Sequence, residues 1–210
     1  MTQNLNRTLT RPLTRLLLKT PMTANQVTLL GLGVGLSAGP LIGQNRYDLN
    51  LVGALFFELY YLLDNCDGDI ARLKNQQSEL GGWLDFTTDA IIHVWLYFWL
   101  FLWAKNHYFS LGPLPLVALI GILFSYLIGL WAHYRRFTIA FNPMTWKESK
   151  EPLSLYQWLK LNLDNENFAL LFLLVVILHL KIPFLCATAI GANFFWISLL
   201  IRQRAKFFAY

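Results

Sequence analysis

Long apolar runs dominate this chain, and they restrict its fold more than any other feature. They lie at about 27–44, 50–72, 83–104, 113–134, 166–180 and 183–202, separated by polar or basic connections. A helical span needs roughly 20 apolar residues. Backbone groups in hydrocarbon must be satisfied within their own segment, which selects helices. Only 14% of the 210 residues are charged, against about a quarter in an ordinary soluble domain. The expected fold is therefore all-α and integral to the membrane, with six transmembrane helices. The fifth, Phe168 to Leu180, is the shortest and must tilt or borrow neighbours.

Ahead of the spans, Arg7, Arg11, Arg15 and Lys19 recur every fourth residue and share one helical face, with Leu9, Leu13, Leu16 and Leu17 largely elsewhere. This pattern predicts an amphipathic helix lying in the membrane interface. The chain then divides into an N-terminal cytoplasmic or interfacial segment, 1–25, and a membrane domain, 26–210. The first twenty residues lack the compact apolar core of a cleavable signal. The net charge of +5 is scattered over the ends of apolar segments and forms no continuous stripe. That distribution excludes nucleic acid as the partner and favours anionic lipid headgroups. With six spans and a cytoplasmic N-terminus, the C-terminus is cytoplasmic too. Of the 17 lysines and arginines, only Arg46, Lys105 and Lys181 then fall outside, the asymmetry expected of a correctly oriented membrane protein.

Smaller features follow the same logic. Cys66 and Cys186 lie in separate apolar segments, where small buried thiols are expected and a disulfide is not. Gly31, Gly35, Gly39 and Gly43 line one face of the first span, a spacing that lets another helix approach closely. Pro40 is expected to bend that span. The polar connection 136–165 contains Trp146, Tyr156 and Trp158, and a surface helix over 153–163 would place aromatic rings at headgroup level. No internal repeat marks the inverted symmetry common in transporters.

Chemistry concentrates where the second span ends and the third begins. Asp64, Asp67, Gly68 and Ala71 are three or four residues apart, and so are Gly81, Asp85 and Asp89. Residues at those spacings share a helix face. The short polar turn 73–80 makes the two helices antiparallel neighbours, so both stripes can meet at one depth. Carboxylates beside hydrocarbon persist where something compensates them, and four together repel one another. Hard divalent cations such as Mg²⁺, Mn²⁺ or Ca²⁺ are the fitting counter-charge. Paired ions suit phosphoryl chemistry, and Arg72 adds a planar fork suited to phosphate. A salt-bridge network is the competing reading, but Arg72 and Lys74 cannot balance four aspartates.

The run D-x-x-D-G-x-x-A-R, eight residues, then G-x-x-x-D-x-x-x-D resembles the signature of the CDP-alcohol phosphotransferases, from Asp64 through Asp89 without substitution. The stretch from Thr20 to Thr28 is similar to the segment that precedes the first span in that family, and six spans match its core. The resemblance implies transfer of a phosphoryl-alcohol group from a CDP-linked donor to a hydroxyl acceptor, with release of CMP. It implies two divalent cations, Mg²⁺ or Mn²⁺, held by Asp64, Asp67, Asp85 and Asp89, with Asp89 as general base. Gly68, Ala71, Arg72 and Gly81 would surround the cytidine diphosphate. Members resembling this chain mostly use CDP-diacylglycerol and a small polar alcohol or alcohol phosphate, act in phospholipid synthesis, and face the cytoplasm. A homodimer is common among them. The alternative within the class takes a soluble CDP-alcohol and a lipid or alcohol-phosphate acceptor. Here Asp89-Ala90 replaces the Asp-Arg ending of inositol-phosphate enzymes, so the acceptor stays open.

Remaining polar residues receive secondary roles. His133, Arg135 and Arg136 end the fourth span on the aspartates' side, fit either to hold a phosphate or to anchor the interface. His93, one turn past Asp89, is read as a satisfied core histidine, and Asp69 as a solvated or packing carboxylate. His107 and His179 lie near the other side. Two readings from other classes compete: a divalent-metal transporter using the aspartates, and a noncatalytic scaffold.

Overall fold

The computed structural model describes residues 5–138 and 168–207, with side chains at 8–129, 168–198, 200 and 201. Helices α1 (Leu5–Leu18), α2 (Ala24–Ile42), α3 (Tyr47–Leu73), α4 (Glu79–His107), α5 (Leu114–Thr138), α6 (Phe168–Ile177) and α7 (Lys181–Phe207) follow one another. A short 3₁₀ turn at Phe109–Leu111 links α4 to α5. The described fold is all-helical, and α2, α4 and α7 are each long and apolar enough to cross a membrane. Helix α3 has the length, at roughly 40 Å, but carries acidic residues near its C-terminal end. Helix α6 has only ten residues, about 15 Å of rise, and falls short of the roughly 30 Å hydrocarbon core by itself. The segment expected at 166–180 is thus helical over 168–177, and it closes with His179 in the left-handed region (φ 57°). The surface helix expected at 153–163 lies outside the described residues.

Local chemistry sets the helix ends. Thr23 caps α2 reciprocally with Gln26, and the Ser78 hydroxyl accepts from Gly81 N–H at the start of α4. Helix α3 stops in a Schellman turn: Asn75 takes a φ of 54° while Gln76 N–H donates to the Ala71 carbonyl at 2.8 Å. Pro40 sits in the last turn of α2 and has no N–H to offer the Leu36 carbonyl. Trp95 of α4 supplies the missing donor, its indole N–H lying 2.9 Å from that oxygen.

The core is aromatic, built around Phe57, Tyr60, Tyr61, Leu96, Tyr97 and Phe172. The glycine face of α2 works as a close-packing surface. A Cβ at Gly39 would lie 2.6 Å from Trp99, and one at Gly43 would lie at the same distance from that ring. Helix α1 packs one face against the bundle. Thr10, Thr14 and Leu17 are buried, and the Thr14 hydroxyl donates to Cys66 Sγ of α3 at 3.3 Å. Leu9 and Leu16 stay outside, so its apolar residues are divided between protein and surroundings. Outside, the molecule is apolar as well: Ile190 is 75% exposed and Phe194 72%. A soluble protein rarely carries such a surface.

Candidate active site

The α3–α4 turn is stitched to the linker ahead of α2. Lys74 Nζ donates to the carbonyls of Thr20 (3.1 Å) and Met22 (2.7 Å), and Ala24 N–H donates to Gln76 Oε1 at 3.0 Å. These contacts bring the start of α2 against the end of α3 and the start of α4, and a cavity of about 250 Å³ opens among them. Gly68, Ala71, Arg72 and Gly81 all line it, beside Asp67 and Asp85. Asn25, Thr28, Gln76 and Ser78 line it too, and sequence reading assigned none of them a role. Asn25 and Thr28 fall within the stretch before the first span, which was the one available signal.

Asp64, Asp67 and Asp85 each place one carboxylate oxygen within 4.8 Å of the other two. Unit charges about 4 Å apart repel by about 4 kcal/mol at an effective permittivity of 20, so the trio needs a counter-charge. Among the described residues no lysine or arginine pairs with any of the three. Lys74 is committed to the linker carbonyls, and Arg72 pairs with Asp69 at 2.6 Å. Arg72 and Lys74, the two cations that a salt-bridge network was expected to use, are therefore not what holds them. Among the described residues Asp64 Oδ1 is buried without a hydrogen-bond partner, an orphan that a native fold seldom leaves unmatched. An all-oxygen set with an unmatched buried acceptor fits a hard divalent cation.

Hydroxyl groups orient the individual carboxylates. Thr28 of α2, whose hydroxyl lies 3.2 Å from the Ala24 carbonyl, donates to Asp67 Oδ2. Asp89 is not one of the convergent trio. Its Oδ1 accepts from the Tyr60 hydroxyl at 2.6 Å, and its main-chain carbonyl lies 2.7 Å from His93 Nδ1. His93 Nε2 is 2.6 Å from the Tyr61 hydroxyl, so both ring nitrogens are engaged and His93 is the satisfied core histidine expected.

The Arg72–Asp69 pair is solvent-facing, with side chains 59% and 41% exposed. Such a pair contributes about 0–1 kcal/mol, too little to keep the guanidinium from an incoming phosphate. At Gly68 a Cβ would stand 3.5 Å from that guanidinium, so a side chain there would crowd the cavity beside Arg72. His107 is capped on the Trp103 carbonyl at 2.9 Å, and His179 stacks on Tyr47. Both cysteines are free, Cys66 buried and Cys186 half-buried. The side chains of His133, Arg135 and Arg136 lie outside those described.

No curated protein sequence matches this chain. The family model described as CDP-alcohol phosphatidyltransferase does match it, over residues 21–202. That range takes in α2 through α6, most of α7 and the whole run from Asp64 to Asp89. Enzymes of this kind are transferases of substituted phosphate groups, moving a phosphoalcohol from a CDP-alcohol to an alcohol acceptor. With three motif aspartates converging, two of them on the wall of the cavity, and a family model covering nearly the whole chain, this protein belongs to the CDP-alcohol phosphatidyltransferase family.

Proposed function

We propose that this chain moves a phosphatidyl group from CDP-diacylglycerol to the hydroxyl of a small polar alcohol or alcohol phosphate, releasing CMP, in phospholipid synthesis. The observation that carries this reading is the carboxylate trio of Asp64, Asp67 and Asp85 beside a polar cavity of about 250 Å³. Asp64, Asp67 and Asp85 would hold one divalent cation, and Asp89 would help hold a second, Mg²⁺ or Mn²⁺ in each case. Bound there, such ions would supply positive charge against the pyrophosphate and the departing CMP. Gly68, Ala71 and Gly81 admit the nucleotide, and Arg72 exchanges Asp69 for a phosphate oxygen. The acceptor oxygen attacks the phosphorus bearing the diacylglycerol, the bond to the bridging oxygen breaks, and Asp89 takes the hydroxyl proton.

In this reading six spans, 26–210, form the transferase domain and residues 1–25 line the interface. Both termini and the cavity face the cytoplasm, where a water-soluble nucleotide arrives and leaves. A homodimer is the expected assembly.

The test is purified protein in detergent with radiolabelled CDP-diacylglycerol and a panel of alcohols, with Mg²⁺, Mn²⁺ or EDTA. Metal-dependent CMP release with a labelled lipid product is expected. A labelled product only from a soluble CDP-alcohol would move the donor assignment to that class. Metal flux in proteoliposomes without nucleotide turnover would replace the enzyme with a transporter.

A further inference from the structure

We infer that Tyr60 is a positioning residue for the transfer, its hydroxyl fixing the orientation of the Asp89 carboxylate. This rests on the reading of Asp89 as the base. Tyr60 lies on α3 one turn before Asp64 and is 1% exposed, and its hydroxyl reaches across to α4, 2.6 Å from Asp89 Oδ1. A carboxylate on its last torsion is loosely held, because that rotation has a broad profile. A donor on a rigid ring removes the freedom.

The ring itself has little room to move. On its α2 side, a Cβ at Gly31 would stand 3.6 Å from Tyr60 Cδ2, and one at Gly35 would stand 3.2 Å from Cγ. Phe57 and Tyr61 flank the ring within α3, at centroid distances of 6.3 and 5.4 Å. Two glycines of the α2 packing face thus make the seat in which this phenol is held. From there it reaches the carboxylate without itself lining the nucleotide cavity. A tyrosine so placed acts on the alcohol only through Asp89, which predicts an effect on turnover and none on donor capture.

The experiment is Tyr60→Phe, assayed for kcat, donor KM and thermal midpoint. Tyr97→Phe serves as the comparison, since Tyr97 is equally buried and bonds Thr188 at 2.9 Å two turns beyond Asp89. Removing the Tyr60 hydroxyl is expected to lower kcat at least tenfold, the low end of the roughly 10–100-fold cost of losing a partner that orients a metal ligand. Donor KM should stay within about twofold of wild type, and Tyr97→Phe should leave kcat nearly unchanged. A Tyr60→Phe enzyme with kcat within twofold of wild type overturns the inference. So does a loss shared between kcat and donor KM, an equal loss in Tyr97→Phe, or a Tyr60→Phe protein that fails to fold, each of which makes the hydroxyl structural. A wild-type protein that turns over no CDP donor fails earlier and overturns the transferase reading itself.

Discussion

Two neutral hydroxyls, Thr28 on Asp67 and Tyr60 on Asp89, orient two carboxylates of the motif. Hydroxyl donors suit this work because they turn a carboxylate without cancelling its charge, leaving the charge for a cation. Asp89→Asn should keep the fold and nucleotide binding while turnover drops by at least about 10²-fold, the scale of general base catalysis. Turnover near wild type in a single-turnover assay would remove Asp89 as base. Arg72→Ala belongs to a different step. It removes a charge-assisted contact to phosphate worth about 1.5–3 kcal/mol, so donor KM should rise about 10- to 100-fold with kcat little changed. An unchanged donor KM would place the guanidinium outside the donor site.

Helix α2 shows how much an element's face contributes. Small residues at 31, 35, 39 and 43 admit Leu63, Tyr60, Ile92, Trp95 and Trp99 from α3 and α4. At Gly39 an added Cβ would be 2.6 Å from Trp99 and 2.7 Å from Trp95, whereas at Gly33 it would meet nothing within 4 Å. Gly39→Ala should therefore cost about 1–3 kcal/mol through overpacking. Gly33→Ala should be neutral or gain up to about 1 kcal/mol from helix propensity. Thermal unfolding in a mild detergent compares the two. Equal midpoints would mean that the indoles move aside freely and that the glycine face is not a packing surface.

At the scale of the molecule, an apolar exterior surrounds a polar cavity at one end of the bundle. Large side chains such as Leu55, Phe194 and Ile190 are half or more exposed, which water would penalise and lipid would not. Lys181, at the far end of the bundle, places its ammonium 3.7 Å over the Trp103 ring and 3.4 Å from the Ile42 carbonyl. It is one of three basic residues that six spans would place outside. The proposed topology predicts that tags on both termini are accessible from the same membrane face. A Phe109→Cys thiol should be labelled only from the other face, since Phe109 is 94% exposed in the α4–α5 connection. Tags on opposite faces would mean an odd number of spans.

Helix existence and type were legible without coordinates, because apolar length and polar punctuation are local properties. The expected 27–44, 50–72 and 83–104 became Ala24–Ile42, Tyr47–Leu73 and Glu79–His107, with ends moved by Thr23, Asn75 and Ser78. The shared faces of the motif were legible too, since spacing on a helix fixes direction, but the packing partner was not: α3 and α4 each lie closest against α2 and meet one another through side chains such as Tyr60–Asp89 and Tyr61–His93. What spacing left open was how far the stripes overlap. Three aspartates converge, while Asp89 is taken by a tyrosine 29 positions away; Thr28 reaches Asp67 across 39 positions and Gln76 reaches Ala24 across 52. Those meetings depend on the angle and depth at which helices cross, which glycine contacts and aromatic packing set. Residue type and helical spacing alone establish which groups can do the chemistry. The tertiary structure decided which hydroxyl holds which carboxylate, because that choice belongs to the crossing of helices and not to any one of them.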